Sequence, residues 1–195
     1  MTRTLKSALG ISMAIVIASA AFASTPAKHG AYLGSYNGVA VYSNGASVGY
    51  TSGLNNVSGY STGYKWQCVE YVNRFYWQKY GKKIAGGNAG EYFGKAAGKG
   101  LKACANGGSA QPQEGNILCS NGGGSGHVGI ISRVPRITGA GNYTIDVVQQ
   151  NWTPKSAVGD YTTRHTLTVT KKSGQYYYTV STFGSGYPIQ GWLYR

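Results

Sequence analysis

The sequence contains a thiol in a position suited to nucleophilic chemistry. Cys68 opens an aromatic-rich segment in which Tyr71, Val72, Phe75 and Tyr76 recur at helical spacing, so it is predicted to lie in the first turn of a helix. Free N–H groups at a helix start favour an anion, and a thiolate held there has a lowered pKa and is a good nucleophile. The alternative is a small apolar cysteine packed in the core, which is common. The helix alone leaves these two interpretations even.

A thiol nucleophile needs a base, and His127 is the best candidate. It lies where a glycine-rich loop enters an apolar strand, directly after Gly126, and flanking glycines let other groups approach closely. His29 falls in a polar leader, and His165 shares strand parity with Leu167, which predicts a partly buried sheet residue. A lone histidine is more often structural than reactive, but the location of His127 favours the chemical role.

An imidazole base is usually oriented by a third side chain. Period-two parity on the next strand places Gln149 and Asn151 on one face and Asp146 on the other, which argues against the carboxylate. A neutral amide can fix the ring, as an asparagine does in papain-like enzymes. The alternative is that both amides only satisfy backbone groups at a strand end.

The other two cysteines are predicted to pair. Cys104 and Cys119 flank a polar, glycine-containing loop, and an exported protein meets oxidising conditions. A bridge closing a loop of about 15 residues contributes roughly 3 kcal/mol. The pairing would leave Cys68 as the odd thiol, which favours a nucleophile over a core residue.

Residues 1–23 are predicted to be a secretory signal peptide. Arg3 and Lys6 give a positive start, the stretch 9–17 is apolar, and Ala21 and Ala23 form a small-x-small cleavage pattern, so we expect cleavage after Ala23. The apolar stretch is too short for a stable membrane span. The protein is therefore expected to be periplasmic or secreted, with one domain over residues 24–195.

The charge balance is strongly basic. The chain carries 18 Lys and Arg against five Asp and Glu, a net charge of +13, and removal of Arg3 and Lys6 leaves 16 against five, or +11. Such a field attracts anionic cell-envelope polymers such as peptidoglycan, although it could equally serve only solubility. The basic residues are scattered and no nucleic-acid motif is present. The histidines and carboxylates show no metal-ligand spacing, so neither a metal nor another cofactor is expected.

The order of elements predicts an α+β fold with N-terminal helices packed on an antiparallel sheet. One helix begins near Cys68 and ends before Gly81, and a second begins after Asn88 and ends by Gly98. Residues 24–36 are predicted to be a loose leader and 43–63 an ordered loop or flap. The strand candidates are 39–42, 117–119, 127–134, 143–149, 161–170, 175–182 and 191–194.

Several stretches resemble the CHAP domain, the cysteine- and histidine-dependent amidohydrolase/peptidase family of papain-like fold. Within that family the chain most resembles the amidase domain of glutathionylspermidine synthetase/amidase. The resemblance implies that Cys68 is the nucleophile and His127 the general base. The family usually has a carboxylate at the position of Gln149, two residues before an asparagine matched by Asn151, so the amide is a departure. The matching stretches are 38–43, 65–70, 106–108, 126–131, 150–151 and 191–192.

The resulting expectation is an exported cysteine amidase or endopeptidase that cleaves amide bonds of peptidoglycan and acts as a monomer. The backbone N–H of Cys68 would hold the oxyanion, together with Gln67 or the loop near Tyr64. One alternative is the same chemistry on a small glutathione–polyamine amide, or in a secreted toxin with an immunity protein as partner. Another is a catalytically weak cell-wall-binding protein.

Overall fold

A computed structural model of the protein describes residues 27–47, 49–152 and 161–195. The predicted signal peptide and its cleavage site at Ala23 lie outside these residues and stay a prediction. Among the helices in the described residues, none has the length and apolar character needed to cross a membrane.

The structure contains one α-helix and eleven strands within the described residues. Helix α1 is Cys68–Tyr80, and short 3₁₀ helices cover Ala89–Glu91 and Ala97–Lys99. The strands are β1 (Tyr32–Tyr36), β2 (Val39–Tyr42), β3 (Ser52–Val57), β4 (Tyr60–Lys65), β5 (Lys102–Ala105), β6 (Ile117–Ser120), β7 (His127–Arg133), β8 (Gly141–Val148), β9 (Thr162–Lys172), β10 (Gln175–Val180) and β11 (Ile189–Tyr194).

A seven-stranded antiparallel sheet dominates the fold. Its strand order is β10-β9-β8-β7-β6-β11-β5, and two hairpins, β1–β2 and β3–β4, stand apart from it. The antiparallel neighbours along the chain need only short connections, which matches the turn residues between the predicted strands. Because these strands are antiparallel, the first residues of β7 and β9 lie beside the last residues of β8, at one end of the strands.

Helix α1 forms because its apolar side chains share one face and its end is capped by glycine. Tyr71, Val72 and Phe75 are fully buried in one cluster with Val128 and Ile130 of β7. Gly81 takes the left-handed conformation just past the helix, with φ of 62°, and its N–H returns to the carbonyl of Trp77. The burial of this face fixes where the first residue of the helix, Cys68, meets the sheet.

The α+β prediction is confirmed in its coarse form, but the sheet accounts for more of the structure than expected. The segment after Asn88 forms two 3₁₀ turns instead of a second α-helix, although the Glu91 carboxylate does accept the Asn88 backbone N–H at 2.7 Å. Gly90, Gly94 and Gly98 recur through this stretch and lower its helix propensity. Strand β1 lies in the predicted leader, and the hairpin β3–β4 occupies the predicted flap.

The predicted disulfide between Cys104 and Cys119 is wrong, because both cysteines are free. Cys104 lies opposite Trp192, and Cys119 lies opposite Gly191 on the other side of β11, so two strand spacings, about 10 Å, separate them. They also belong to core clusters on opposite faces of the sheet. A bridge needs Cα atoms within roughly 7 Å. Cys68 is therefore one of three free cysteines, and cysteine pairing no longer favours it as the nucleophile.

Candidate active site

The start of helix α1 is held by buried charges. Glu70 is fully buried, and its Oε1 accepts hydrogen bonds from Arg74 Nε at 2.7 Å, Thr62 Oγ1 at 3.0 Å and Asn55 Nδ2 at 2.8 Å. Its Oε2 accepts from Gln150 Nε2 at 3.0 Å. We call these five residues the charged network. A buried ion pair is tolerated only when such bonds satisfy its remaining atoms, so the network fixes α1 against the β3–β4 hairpin.

Gln67, the residue before the helix, is fixed at both ends of its side-chain amide. Its Oε1 accepts from Asn151 Nδ2 at 2.6 Å, and its Nε2 donates to the Tyr50 carbonyl at 2.8 Å. Its backbone carbonyl accepts from Gln150 Nε2 at 3.3 Å. Asn151 lies past the end of β8 with φ of 56°, so strand parity no longer applies there, and its amide bonds to Gln67 and Asn44. These bonds hold the backbone from which Cys68 projects.

Cys68 is the first residue of α1, as the sequence predicts, but its thiol is buried. Burial raises the pKa of Cys68, and hydrogen bonds from the backbone N–H groups of Val128, Val69 and Cys68 itself offset only part of that rise. The expected lowering of the thiol pKa by the helix start is therefore wrong for this structure. Desolvation outweighs the dipole because the helix start is covered by the sheet.

His127 is the first residue of β7 and is buried against an amide. Its Nε2 lies 2.7 Å from Gln149 Oε1, so the structure brings this pair of predicted site residues together. Gly129 leaves room for this contact, since a Cβ there would lie 2.6 Å from Val147 Cγ1 and 3.3 Å from Gln149 Cβ. Burial lowers the pKa of His127 to about 4, against the opposing effect of the hydrogen bond that the ring donates to Gln149, so the ring is neutral near pH 7.

A residue of strand β9, Thr163, binds the other end of the Gln149 amide. Gln149 Nε2 donates to Thr163 Oγ1 at 3.0 Å, and Thr163 Oγ1 lies 2.9 Å from His165 Nε2. Burial lowers the pKa of His165, against opposing bonds to the carbonyls of Thr182 and Ser181. We call His127, Gln149, Thr163 and His165 the neutral chain.

Aromatic rings enclose the His127 imidazole. The Trp152 ring lies 4.7 Å and the Phe183 ring 4.9 Å from it, centroid to centroid, and Phe183 also contacts the His165 ring at 5.0 Å. Tyr187 packs edge-on against Trp152. These three aromatic residues lie in loops after strands β8 and β10, where no hydrophobic periodicity marks them in the sequence.

Cys68 and His127 open onto one cavity of about 750 Å³. Gln67, Tyr64 and Asn151 also line it, so five of the six candidates come together there, and Gln149 lies behind the imidazole. The described residues that line the cavity are uncharged. The remaining lining residues are Gly49, Thr51, Val69, Asn88, Ala89, Gly123, Ser125, Gly126, Trp152, Gly184, Ser185 and Tyr187. The described residues show no cluster of His, Cys, Asp or Glu that could hold a metal ion.

Thr163 and His165 were not selected from the sequence as site residues. The signal that could have found them is their shared parity on β9, the strand predicted to pair with the Gln149 strand. The buried state of Glu70 and Arg74 was also missed, because a Glu–Arg pair four residues apart is typical of an exposed helix face.

Residues 59–151, just under half of the chain, match the CHAP domain family. The matched span begins at Gly59, in the turn before β4, and ends at Asn151, so it contains Cys68, His127 and Gln149. No curated protein matches the chain. The family match supports a hydrolase of the amidase or peptidase type.

Proposed function

We propose that the protein is an exported cysteine amidase or endopeptidase that hydrolyses amide bonds of peptidoglycan. The observation that carries this proposal is the shared cavity of Cys68 and His127, with Gln149 fixed against the imidazole. Because Gln149 Oε1 engages Nε2, Nδ1 is the nitrogen that would face the thiol.

In the proposed reaction, Cys68 Sγ attacks the substrate carbonyl while His127 Nδ1 takes the thiol proton. The tetrahedral intermediate collapses to a thioester as the imidazolium returns the proton to the leaving amine. Water then attacks the thioester with His127 as base, releases the acid and restores the thiol. The resting pair is neutral, since burial raises the pKa of Cys68 and lowers that of His127.

Two donors would stabilise the oxyanion in this scheme. The backbone N–H of Cys68 lies at the helix start, where it has no helical acceptor. The second is Gln67 Nε2, whose amide is already oriented by Asn151 and Tyr50. A donor fixed before substrate binds needs no reorganisation during reaction. The Tyr64 carbonyl accepts the Gln67 N–H at 3.0 Å, so Tyr64 supports the loop through its carbonyl.

The substrate class rests on charge and location. The net charge of +11 that remains without Arg3 and Lys6 favours an anionic polymer, and the wall is the anionic amide-rich polymer that an exported protein meets. Activity on it should fall as ionic strength rises, because salt screens exposed charges. The assignment to a periplasmic or secreted location rests on residues 1–23 and is part of the proposal.

The test is digestion of purified sacculi, with mass spectrometry of the released fragments. Wild type should release fragments that carry new amine or carboxyl ends, and Cys68→Ala should release none. Cys104→Ala, which truncates another buried cysteine, is the matched control and should retain activity. Equal release by wild type and Cys68→Ala would sink the proposal.

A second candidate, a wall-binding protein of weak activity, is favoured by the buried, protonated thiol and by the amide in place of a carboxylate. This second candidate predicts that the wild-type protein co-sediments with sacculi at low salt and releases no fragments from them.

A further inference from the structure

We propose that Thr163 and His165 are positioning residues that set the orientation of the Gln149 amide and thereby the tautomer of His127. The inference deepens the proposed function and rests on it for its catalytic consequence. It depends on the direction of each hydrogen bond in the neutral chain.

The direction starts from the Gln149 amide, whose two ends have different partners. Its Oε1 lies 2.7 Å from His127 Nε2, and its Nε2 donates to Thr163 Oγ1 at 3.0 Å. The Thr163 hydroxyl also lies 2.9 Å from His165 Nε2, which can accept in the neutral ring. In the proposed chain the Thr163 hydroxyl therefore donates its single proton to His165.

A hydroxyl that donates to His165 has only lone pairs left for Gln149. Its partner at 3.0 Å is accordingly the amide nitrogen, Gln149 Nε2, and the amide oxygen is turned toward His127. That oxygen must accept, so His127 carries its proton on Nε2 and leaves Nδ1 bare. The bare nitrogen is the one that the proposed reaction needs as a base.

The same amide can also fit in the wrong orientation. A half-turn about the last side-chain bond would exchange oxygen and nitrogen, and the nitrogen would then donate to His127 Nε2. The imidazole proton would move to Nδ1, and the ring could no longer take the thiol proton. A carboxylate has no such wrong orientation because both of its atoms accept. Gln149 therefore needs a partner that distinguishes its two ends, and Thr163 fills that role.

Thr163→Val removes the hydroxyl and keeps the branched shape. We expect kcat to fall about tenfold at unchanged KM, the effect of losing one orienting hydrogen bond. Thr163→Ser keeps the hydroxyl and should stay close to wild type. His165→Phe should lower kcat less, because Thr163 keeps an oxygen for Gln149. Thr168 lies on β9 like Thr163, and its hydroxyl donates to Asn142 of β8. Thr168→Val removes that hydroxyl, is the matched control and should have no effect.

Two readouts separate positioning from general structure. ¹⁵N-detected NMR of the imidazole should show His127 protonated on Nε2 in wild type and Thr163→Ser, and a population protonated on Nδ1 in Thr163→Val. In a Gln149→Ala background, Thr163→Val should cause no further loss of kcat. Thr163→Ala serves the same purpose if the valine variant does not fold by circular dichroism.

An unchanged His127 tautomer in Thr163→Val and Thr163→Ala would overturn the proposal, and so would a loss of kcat that persists in Gln149→Ala. The NMR measurement needs no substrate. A wild-type protein without hydrolytic activity would therefore refute the proposed function while the tautomer still decides the positioning role.

Discussion

Two polar networks meet at consecutive residues where β8 ends, and they differ in charge. Gln150 faces the helix and joins the charged network around Glu70 and Arg74, while Gln149 faces the other way and joins the neutral chain at His127. Alternation along a strand sends neighbours to opposite faces. The buried Glu70 carboxylate therefore bonds Arg74 within the helix, and the Gln149 amide bonds the imidazole.

The two networks have different roles: the charged network stabilises the fold, and the neutral chain supports proton transfer. In the charged network the Glu70 carboxylate and the Arg74 guanidinium compensate each other, and removal of either would leave a buried, uncompensated charge. In the neutral chain each group is uncharged at rest, so His127 can gain a proton without an ion pair having to break. The fold therefore holds its thiol in place with charge and leaves the reacting pair neutral.

The largest effect should come from the thiol itself. Cys68→Ala is expected to lower hydrolysis by at least about 10⁴-fold, because no other described group in the cavity replaces a nucleophile that forms a covalent intermediate. The rate at which fragments with new amine or carboxyl ends are released from sacculi measures this loss. The buried control Cys119→Ala should keep its rate, and an equal loss there would mean that any cysteine truncation damages the protein.

The charged network should show its effect in stability. Glu70→Gln leaves Arg74 buried without its anion, so we expect the free energy of unfolding to fall by about 3–5 kcal/mol in urea denaturation. The exposed pair of Glu91 and Lys95 has the same spacing and is the matched comparison. Glu91→Gln should lower the free energy of unfolding far less, because solvent screens this exposed pair. Similar losses for the two variants would remove the distinction between the pairs.

Acid should destabilise the protein through His127. Its pKa is about 4 in the folded state against 6.5 as the ordinary value, so the unfolded chain binds more protons between these limits. The free energy of unfolding should fall as pH decreases through this window, by about 3 kcal/mol for the full shift. Urea titrations at both ends of the window measure it. His127→Phe should flatten the dependence, and an unchanged slope would contradict the low pKa.

The amide of Gln149 should affect rate more than stability. Gln149→Ala is expected to lower kcat about 100-fold, the low end of what a positioned general base contributes. Gln149→Glu places a charge beside the imidazole and raises the pKa of His127, so the acidic limb of the rate profile should move to higher pH. The pH dependence of kcat/KM measures both. An acidic limb at the same pH in wild type and Gln149→Glu would show that the two side chains are not coupled.

The sequence was informative where local pattern determined position. Helical spacing placed Cys68 at the helix start, and strand parity placed Gln149 beside His127, because both depend on residues a few positions apart. It failed where sheet order decided the outcome. The distance between Cys104 and Cys119 depends on β11, which enters between their strands from the far end of the chain.

Burial was the property that sequence pattern captured least. Glu70 and Arg74 have the spacing of a surface pair, yet the β3–β4 hairpin covers them. The sheet, which covers the helix start, raises the pKa of the Cys68 thiol, whereas the helix start alone predicts a lower one. Tertiary contacts between distant segments set both results, and a single helix carries no signal of them.

The measurement that tests the neutral resting pair most directly is an NMR titration of the His127 ring from about pH 3 to about pH 8. Only three histidines occur in the chain, so each ring can be assigned by substitution. Burial of the ring predicts a midpoint near pH 4 and a neutral ring, protonated on Nε2, at neutral pH. An imidazolium at neutral pH that becomes neutral in Cys68→Ala would show a resting thiolate–imidazolium pair and would contradict it.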